Sequence, residues 1–309
     1  MLKSLQKAFK VKEVRDRLLY TFMMLVVIRI GCCLPIPGVD PSYLHDFFSN
    51  LQNSGMGFFN AITGGSFSSM SIFALSITPY ITSSIIMQLL TIAIPKLEEM
   101  QKDGEDGRKK IAEYTRYLTV GLALFESCAM AVGLGGKGLL LEDHRNIWGY
   151  LTVVAAMTAG SALLMWIGER ITDNGVGNGI SIVLLINIVS GTPQDMMTLY
   201  ERFMAGRSVA VATVSGIIVL AIIVAIVVFV LVLNDAERRI PVQYSKKMQG
   251  RRMIGGQSTY IPLKVNTANV IPVIFASSIM SMPVMIAQFF HVDYSTIGGK
   301  ILLALSSSN

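Results

Sequence analysis

The sequence has 309 residues, of which 52% are apolar and only 15% are charged. Soluble domains carry about 25% charged residues, so this composition excludes an ordinary soluble domain and indicates a membrane protein. The formal net charge of +6 would also suit a nucleic-acid-binding protein, and only the placement of the charges separates the two classes.

Apolar residues collect in seven runs along the chain, and most runs approach the ~20 residues that a membrane-spanning helix needs. The run within 180–189 is shorter than the others and follows a glycine-rich stretch. This pattern predicts an all-α protein, a polytopic transmembrane helix bundle with about seven spanning helices and a short re-entrant helix. The runs cover residues 18–35, 71–94, 115–135, 149–168, 180–189, 209–233 and 267–290.

The N-terminal segment, residues 1–17, alternates basic and apolar positions. Such a segment is typical of an amphipathic helix on an anionic membrane surface. The next run, 18–35, contains Arg29 and continues into Pro35-Ile36-Pro37-Gly38 rather than a small-residue cleavage site. We therefore expect a retained helix and not a cleaved secretory signal.

A short apolar stretch, residues 57–62, lies within the polar segment 38–70 and is too short to span a membrane. It fits a re-entrant helix that lines a cavity, because irregular backbone at membrane depth must be buried in protein or face water. A helix in a surface loop fits the spacing equally well.

The Lys and Arg residues are distributed very unequally between the two sides of the predicted bundle. With a cytoplasmic N-terminus, 20 of the 26 cations fall on the inner side and 5 on the outer side, while Arg29 lies within the membrane. The positive-inside rule therefore fixes this orientation. It also explains most of the net charge without a nucleic-acid partner.

The inner loop 234–266 carries seven cations, more than topology requires. Residues 242–244 favour an extended conformation, and Gly255-Gly256 permits a tight turn. The loop is either a docking surface for an acidic partner or ribosomal RNA, or simply a solvated loop. Together with the inner loop 95–114, it supplies the candidate docking residues Arg108, Lys109, Lys110, Arg238, Arg239, Lys246, Lys247, Arg251 and Arg252.

Signals for catalysis are weak throughout the chain. The three histidines fall on outer loops without a local cluster, and the three cysteines fit neither a metal spacing nor a disulfide framework. No phosphate-binding loop is present. We therefore expect no enzyme activity, no catalytic residue, no metal and no cofactor. Glu126 and Arg29, the two charges within apolar runs, are few for an ion-coupled transporter.

Branched apolar residues recur at a spacing of four on two predicted helices. Ile77 and Ile81 share one helix face, and Ile180 and Leu184 share another. Bulky apolar side chains around a pore can seal it by excluding water. On spacing alone, ordinary core packing explains the same pattern.

Many ordered motifs along nearly the whole chain resemble the SecY family. They include Arg29-Ile30-Gly31 followed by Pro35-Ile36-Pro37-Gly38, Ile77-Thr78-Pro79-Tyr80-Ile81-Thr82, Gly104-Glu105-Asp106-Gly107-Arg108-Lys109-Lys110, Gly177-Asn178-Gly179-Ile180-Ser181-Ile182 and Ile271-Pro272-Val273-Ile274-Phe275-Ala276-Ser277-Ser278.

The resemblance implies a role for each of these features. The short outer helix becomes a plug at about 55–67, and Thr82 and Glu126 become a polar cluster beside a lateral gate. The basic loops would receive the SecA motor ATPase or the ribosome. A constriction ring would be formed by Ile77, Ile81, Ile180, Leu184 and Ile274.

The resemblance also implies an organisation and a function. Residues 18–192 would form a first pseudo-repeat with helices one to five, and residues 209–309 would begin a second with helices six and seven. The last three family helices are absent from the sequence, which ends at Asn309. The expected function is a protein-conducting channel subunit of the bacterial plasma membrane, which secretes unfolded polypeptides and inserts helices. Expected partners are SecE, SecG, signal peptides, nascent secretory chains and membrane lipid.

Two other functions remain open from the residues themselves. A secondary transporter of small solutes would need coupled charges near the membrane midplane. A structural membrane assembly subunit would need no pore at all. A membrane-embedded transferase is disfavoured because no metal-binding set of acidic residues is found.

Overall fold

The computed structural model describes residues 9–40, 60, 63–135, 138, 140–141, 145–242, 247–249, 252–254, 259–267 and 276. Within these residues the chain forms seven helices and four short strands. The helices are α1 Lys12–Cys33, α2 Thr78–Ala93, α3 Pro95–Lys102, α4 Glu105–Leu134, α5 Ile147–Asn174, α6 Gly179–Phe203 and α7 Val209–Asp235. The strands are β1 Glu237–Val242, β2 Lys247–Gln249, β3 Arg252–Ile254 and β4 Thr259–Lys264.

The expected all-α membrane helix bundle is confirmed. Among the described helices, α5, α6 and α7 are long and apolar enough to cross a membrane. Helices α2 and α3 are bent by 103° at their junction and together supply a fourth candidate span. Apart from residues 267 and 276, the predicted run 267–290 lies outside the described residues, and so does Ile274.

The second predicted span begins later than its apolar run indicates, because residues 71–77 form turns rather than helix. Two backbone bonds tie this stretch, and Met70 just before it, to the segment that follows α1. The Ile36 amide donates to the Met70 carbonyl at 3.0 Å, and the Ile72 amide donates to the Leu34 carbonyl at 3.0 Å. Helix α2 then starts at Thr78 with a proline in its first turn, where the missing N–H costs little.

The fifth predicted span is longer than its apolar run. Helix α6 extends from Gly179 to Phe203 and keeps Pro193 in its interior. The expected inner loop 95–114 also contains helix, since α3 fills its first half. Gly104, at a φ of +81°, makes the turn into α4 in a conformation that favours glycine.

The described chain divides into two compact units after Pro193. In the first unit, α4 packs against α2 and α5, and α1 packs against α5. Two clusters of buried side chains hold this unit together. One of them is built on Ile36, Val39, Phe67, Met70, Ala74, Leu75, Ala123, Met130, Ala131, Leu140, Val153 and Met157.

The second unit, Gln194–Ala276, holds α7 and the four strands. Helix α7 is apolar on every side and has no buried residue, as expected for a helix that faces lipid. Strand β1 pairs antiparallel with β4, with Glu237 opposite Lys264, and β2 pairs with β3. The expectation of extended backbone at residue 242 is therefore met, while residues 243–244 lie outside the described part of the chain.

Candidate functional site

The second buried cluster brings together the four described members of the predicted ring. Ile77 is almost fully buried, and Ile81, Ile180 and Leu184 are partly buried against the same core. The two pairs come from α2 and α6, which are far apart in sequence. We call this group the apolar cluster; its buried residues are Ile28, Cys32, Phe73, Ile77, Leu164, Ile167, Ile171 and Val183.

A close contact between two glycines sets the distance between α5 and α6. A β-carbon on Gly179 would stand 1.9 Å from the Gly168 carbonyl oxygen, so only glycine fits there. A β-carbon on Gly168 would stand 3.3 Å from Ile180 Cγ1 and 3.6 Å from Ile77 Cδ1. The side chains of Ile77 and Ile180 therefore both lie over the bare backbone of Gly168.

Side-chain oxygens satisfy the first amides of α6, which lack partners within the helix. Thr172 Oγ1 accepts from the Gly179 amide at 2.9 Å. Asn178 Oδ1 accepts from the Ile180 amide at 3.0 Å, as an N-terminal capping residue does. These bonds fix where α6 starts and therefore where Ile180 lies.

Helix α1 holds the same turn from a second direction. Arg17 Nη1 donates to the Gly175 carbonyl at 3.3 Å, and Thr21 Oγ1 accepts from the Val176 amide at 3.2 Å. Three helices thus meet at the turn that precedes Ile180. Bonds from α1 and α5 therefore fix the start of α6, and with it the positions of Ile180 and Leu184 in the apolar cluster.

Ile77 is positioned by the strained turn that precedes α2. Its neighbour Ser76 has a φ of +52°, which is uncommon for a residue other than glycine. Asn187 Nδ2 of α6 donates to Ser76 Oγ at 3.0 Å, and both side chains are buried. The sequence analysis did not identify Asn187, although an amide within an apolar run was the available signal.

The two residues of the predicted polar cluster are both present but are not bonded to each other. Thr82 Oγ1 donates to the Thr78 carbonyl of its own helix at 3.1 Å. Glu126 is partly buried on α4. Among the described residues, no hydrogen bond joins Thr82 to Glu126, so their grouping stays a prediction from the family resemblance.

Arg29, the second charge within the membrane, does have a specific partner. Its Nη1 donates to Ser190 Oγ of α6 at 2.8 Å. The acceptor of this bond is a hydroxyl on another helix. The arginine therefore links α1 to α6.

Five of the predicted docking residues, on α4 and β1, are exposed. Arg108, Lys109 and Lys110 lie in the first turns of α4, where Lys109 pairs with Glu105 at 3.2 Å. Arg238 and Arg239 lie exposed on β1. The Arg239 guanidinium lies 4.7 Å from the centre of the Tyr260 ring.

The other four docking cations lie in the loop 234–266. Lys247 belongs to β2 and Arg252 to β3. Lys246 and Arg251 lie outside the described residues.

Comparisons with known proteins agree with this architecture. The SecY family model matches residues 71–307. A protein translocase subunit SecY of Streptomyces scabiei is 46% identical over 301 residues, which cover 94% of this chain and 68% of that protein. The corresponding subunit of Pseudomonas aeruginosa is 42% identical over 278 residues, covering 90% of this chain and 62% of that protein.

Solved structures share the fold. A protein conducting channel matches with a TM-score of 0.54 at 20% identity, covering 90% of this chain and 59% of that chain. Sec61 in a canine ribosome–channel complex from the endoplasmic reticulum matches with a TM-score of 0.52 at 20% identity and the same coverage.

The chain thus spans about three fifths of the solved channels that it matches and 62–68% of these two relatives. Because the family model covers most of the chain and several relatives exceed 40% identity, the chain is a multi-pass membrane protein that belongs to the SecY family.

Proposed function

We propose that this chain acts as the channel subunit of a bacterial protein translocase, through which unfolded polypeptides cross the plasma membrane and apolar helices enter it. The observation that carries the proposal is the apolar cluster, which contains Ile77 just before α2, Ile81 of α2, and Ile180 and Leu184 of α6. The relatives, which are named as translocase subunits, support the same function.

The chemistry of the four side chains suits a seal rather than a solute-binding site. Branched apolar groups offer water no hydrogen bonds, so a narrow passage between them stays dry and ions do not cross it. The same groups are soft and non-directional, so they can close around an extended polypeptide of any sequence. Ile274 is proposed as a fifth member of the ring.

Two further elements complete the proposed mechanism. Residues 55–67 would cover the outer side of the ring as a plug. Thr82 and Glu126 would lie beside a lateral gate, through which the apolar helix of a signal peptide passes into lipid. That transfer is favourable by up to about 0.6 kcal/mol per leucine. Residues 18–192 and 209–309 would belong to two related halves of the channel.

The exposed cations provide the proposed docking surface for the cytosolic partner. The 20-to-5 asymmetry of Lys and Arg supports a cytoplasmic N-terminus and cytoplasmic basic loops. SecA or a ribosome would bind these loops and supply the energy, because the chain itself is proposed to be a channel and not an enzyme. SecE and SecG are the proposed partner subunits.

Site-specific photocrosslinking to a stalled secretory chain tests the proposal. A photoreactive residue replaces Ile81 in the native membrane complex, and the matched control replaces Leu163, an exposed residue of α5. We expect a crosslink from position 81 and none from position 163. Equal crosslinking from both positions, or none from position 81 with the secretory chain docked, would contradict the pore assignment.

A further inference from the structure

A chain of hydrogen bonds crosses the first unit from α1 to the turn before α2. Arg29 Nη1 donates to Ser190 Oγ at 2.8 Å. Ser190 Oγ donates to the Asn187 carbonyl at 2.6 Å, and Asn187 Nδ2 donates to Ser76 Oγ at 3.0 Å. We call these four residues the polar lock.

Stability does not explain why Ser76 and Asn187, the two buried residues of the polar lock, are polar. Ser76 and Asn187 are each 1% exposed, and Asn187 Oδ1 has no hydrogen-bond partner within the described part of the chain. An unpaired amide oxygen in an apolar interior is unfavourable, whereas apolar side chains at both positions could pack there at little cost. A bond between two specific buried groups instead selects one arrangement of the two segments, which points to a positioning role.

Both partners of the Asn187–Ser76 bond lie close to residues of the proposed ring. On α6, Asn187 follows Ile180 by seven residues and Leu184 by three, a spacing that places all three on one helix face. On the other side, Ser76 directly precedes Ile77. The Asn187–Ser76 bond therefore ties together the two chain segments that carry the ring residues.

The same part of α6 contacts the predicted plug segment. Gly64, with a φ of +66°, lies against α6 so closely that a β-carbon on it would stand 2.5 Å from the Asn187 carbonyl oxygen. The distance to Ser190 Oγ would be 2.7 Å. The polar lock is thus in contact with the end of the plug segment as well as with the ring.

We propose that Arg29, Ser76, Asn187 and Ser190 are positioning residues that hold the ring and the end of the plug segment in the closed arrangement of the channel. The proposal rests on the proposed channel function. The Asn187–Ser76 bond fixes the distance between the two segments that carry the described ring residues. Its loss lets these segments separate and the ring widen, which favours the open arrangement.

Resting ion conductance of the native membrane complex in planar bilayers tests the proposal. Ser76→Ala and Asn187→Leu each leave the other partner buried and unpaired, so each is expected to raise the resting conductance roughly two- to tenfold. The double variant removes both partners, and its conductance is expected to be no higher than that of either single variant. Such coupling distinguishes one shared bond from two independent structural defects.

The control is Ser127→Ala on α4, which removes another buried hydroxyl bond, 2.9 Å from Ser127 Oγ to Thr158 Oγ1. It is expected to leave the resting conductance unchanged. If Asn187→Leu does not accumulate in the membrane, Ser76→Ala and Ser190→Ala decide the test. Unchanged conductance in these variants, or equal leakage in the Ser127→Ala control, overturns the polar lock.

Ile81→Gly separates failure of the polar lock from failure of the proposed function, because it widens the ring and leaves the lock residues in place. If Ile81→Gly raises the resting conductance and the variants of the polar lock do not, the positioning role of the polar lock is overturned and the channel function is retained. An unchanged resting conductance in Ile81→Gly would overturn the channel function and, with it, the positioning role of the polar lock, which rests on that function.

Discussion

Gly179 at the start of α6 lies against the carbonyl of Gly168 on α5, and a β-carbon would come within 1.9 Å of that oxygen. This contact brings the first turn of α6 onto the backbone of α5. It thereby fixes the position of Ile180 along α5 within the apolar cluster. The small residues act here as they do in many membrane helix pairs, where close backbone approach replaces side-chain packing.

Replacing Gly179 with alanine is expected to push α6 away from α5. Overpacking of a well-packed interior typically costs about 1–3 kcal/mol, and the colliding atom here is backbone, which cannot rotate away. We expect the thermal unfolding temperature of the purified protein in detergent to fall by several degrees.

Gly121→Ala is the matched control for Gly179→Ala, since Gly121 lies within helix α4 and has nothing within 4 Å of its added β-carbon. Alanine is the better helix former by about 1 kcal/mol. The unfolding temperature of the control variant should stay the same or rise slightly. An equal fall in both variants would show that alanine at position 179 does not act through the contact with Gly168.

Gly64 and Gly65 form a second matched pair. Both have positive φ, +66° and +80°, so alanine pays the same left-handed backbone cost of about 1–2 kcal/mol at either position. Only Gly64 also collides with α6, because Gly65 has open space around it. Gly64→Ala should therefore unfold at a lower temperature than Gly65→Ala, and equal values would argue against the contact.

The ion pair between Arg116 Nε of α4 and Glu169 Oε1 of α5, at 2.8 Å, should contribute little to stability. The two side chains are 47% and 24% exposed, so water and salt screen their attraction. A double-mutant cycle with Arg116→Gln and Glu169→Gln should give a coupling of about 0.2–1 kcal/mol that decreases at high salt. A coupling that is large and independent of salt would contradict this expectation.

The contact between Arg239 and the Tyr260 ring should stabilise the β1–β4 hairpin by about 0.5–1 kcal/mol, since both groups are exposed. Tyr260→Leu should therefore speed limited proteolysis of this hairpin a few-fold. Arg238→Gln is the control, because neighbouring strand residues face opposite sides. Faster cleavage of the control than of Tyr260→Leu would contradict the assigned contact.

The membrane class, the helical architecture and the family resemblance followed from the sequence alone. Apolar runs of membrane length allow few other structures, because lipid leaves every backbone polar group to be satisfied within the protein. The run 209–233 predicted α7 almost to the residue, since a helix that is apolar on every side can be recognised from composition alone.

Boundaries were predicted less well where the tertiary structure supplies the backbone partners. Residues 71–77 are apolar enough for helix, but the Ile72 amide donates to the Leu34 carbonyl after α1, and the amides of residues 74 and 76 close short turns within the stretch. Helix α6 continues beyond its apolar run as far as Phe203. The apolar pattern carried no information about the backbone partner of Ile72, and it did not mark where α6 ends.

The sequence by itself determined which branched residues share a helix face, because that depends only on a spacing of four. Only the tertiary structure decided that Ile77 and Ile180 lie over the same backbone, since both pack against the bare backbone of Gly168. The bond from Asn187 to Ser76 likewise required the fold, because 111 residues separate its partners. Periodicity describes one element at a time, whereas packing depends on pairs of elements.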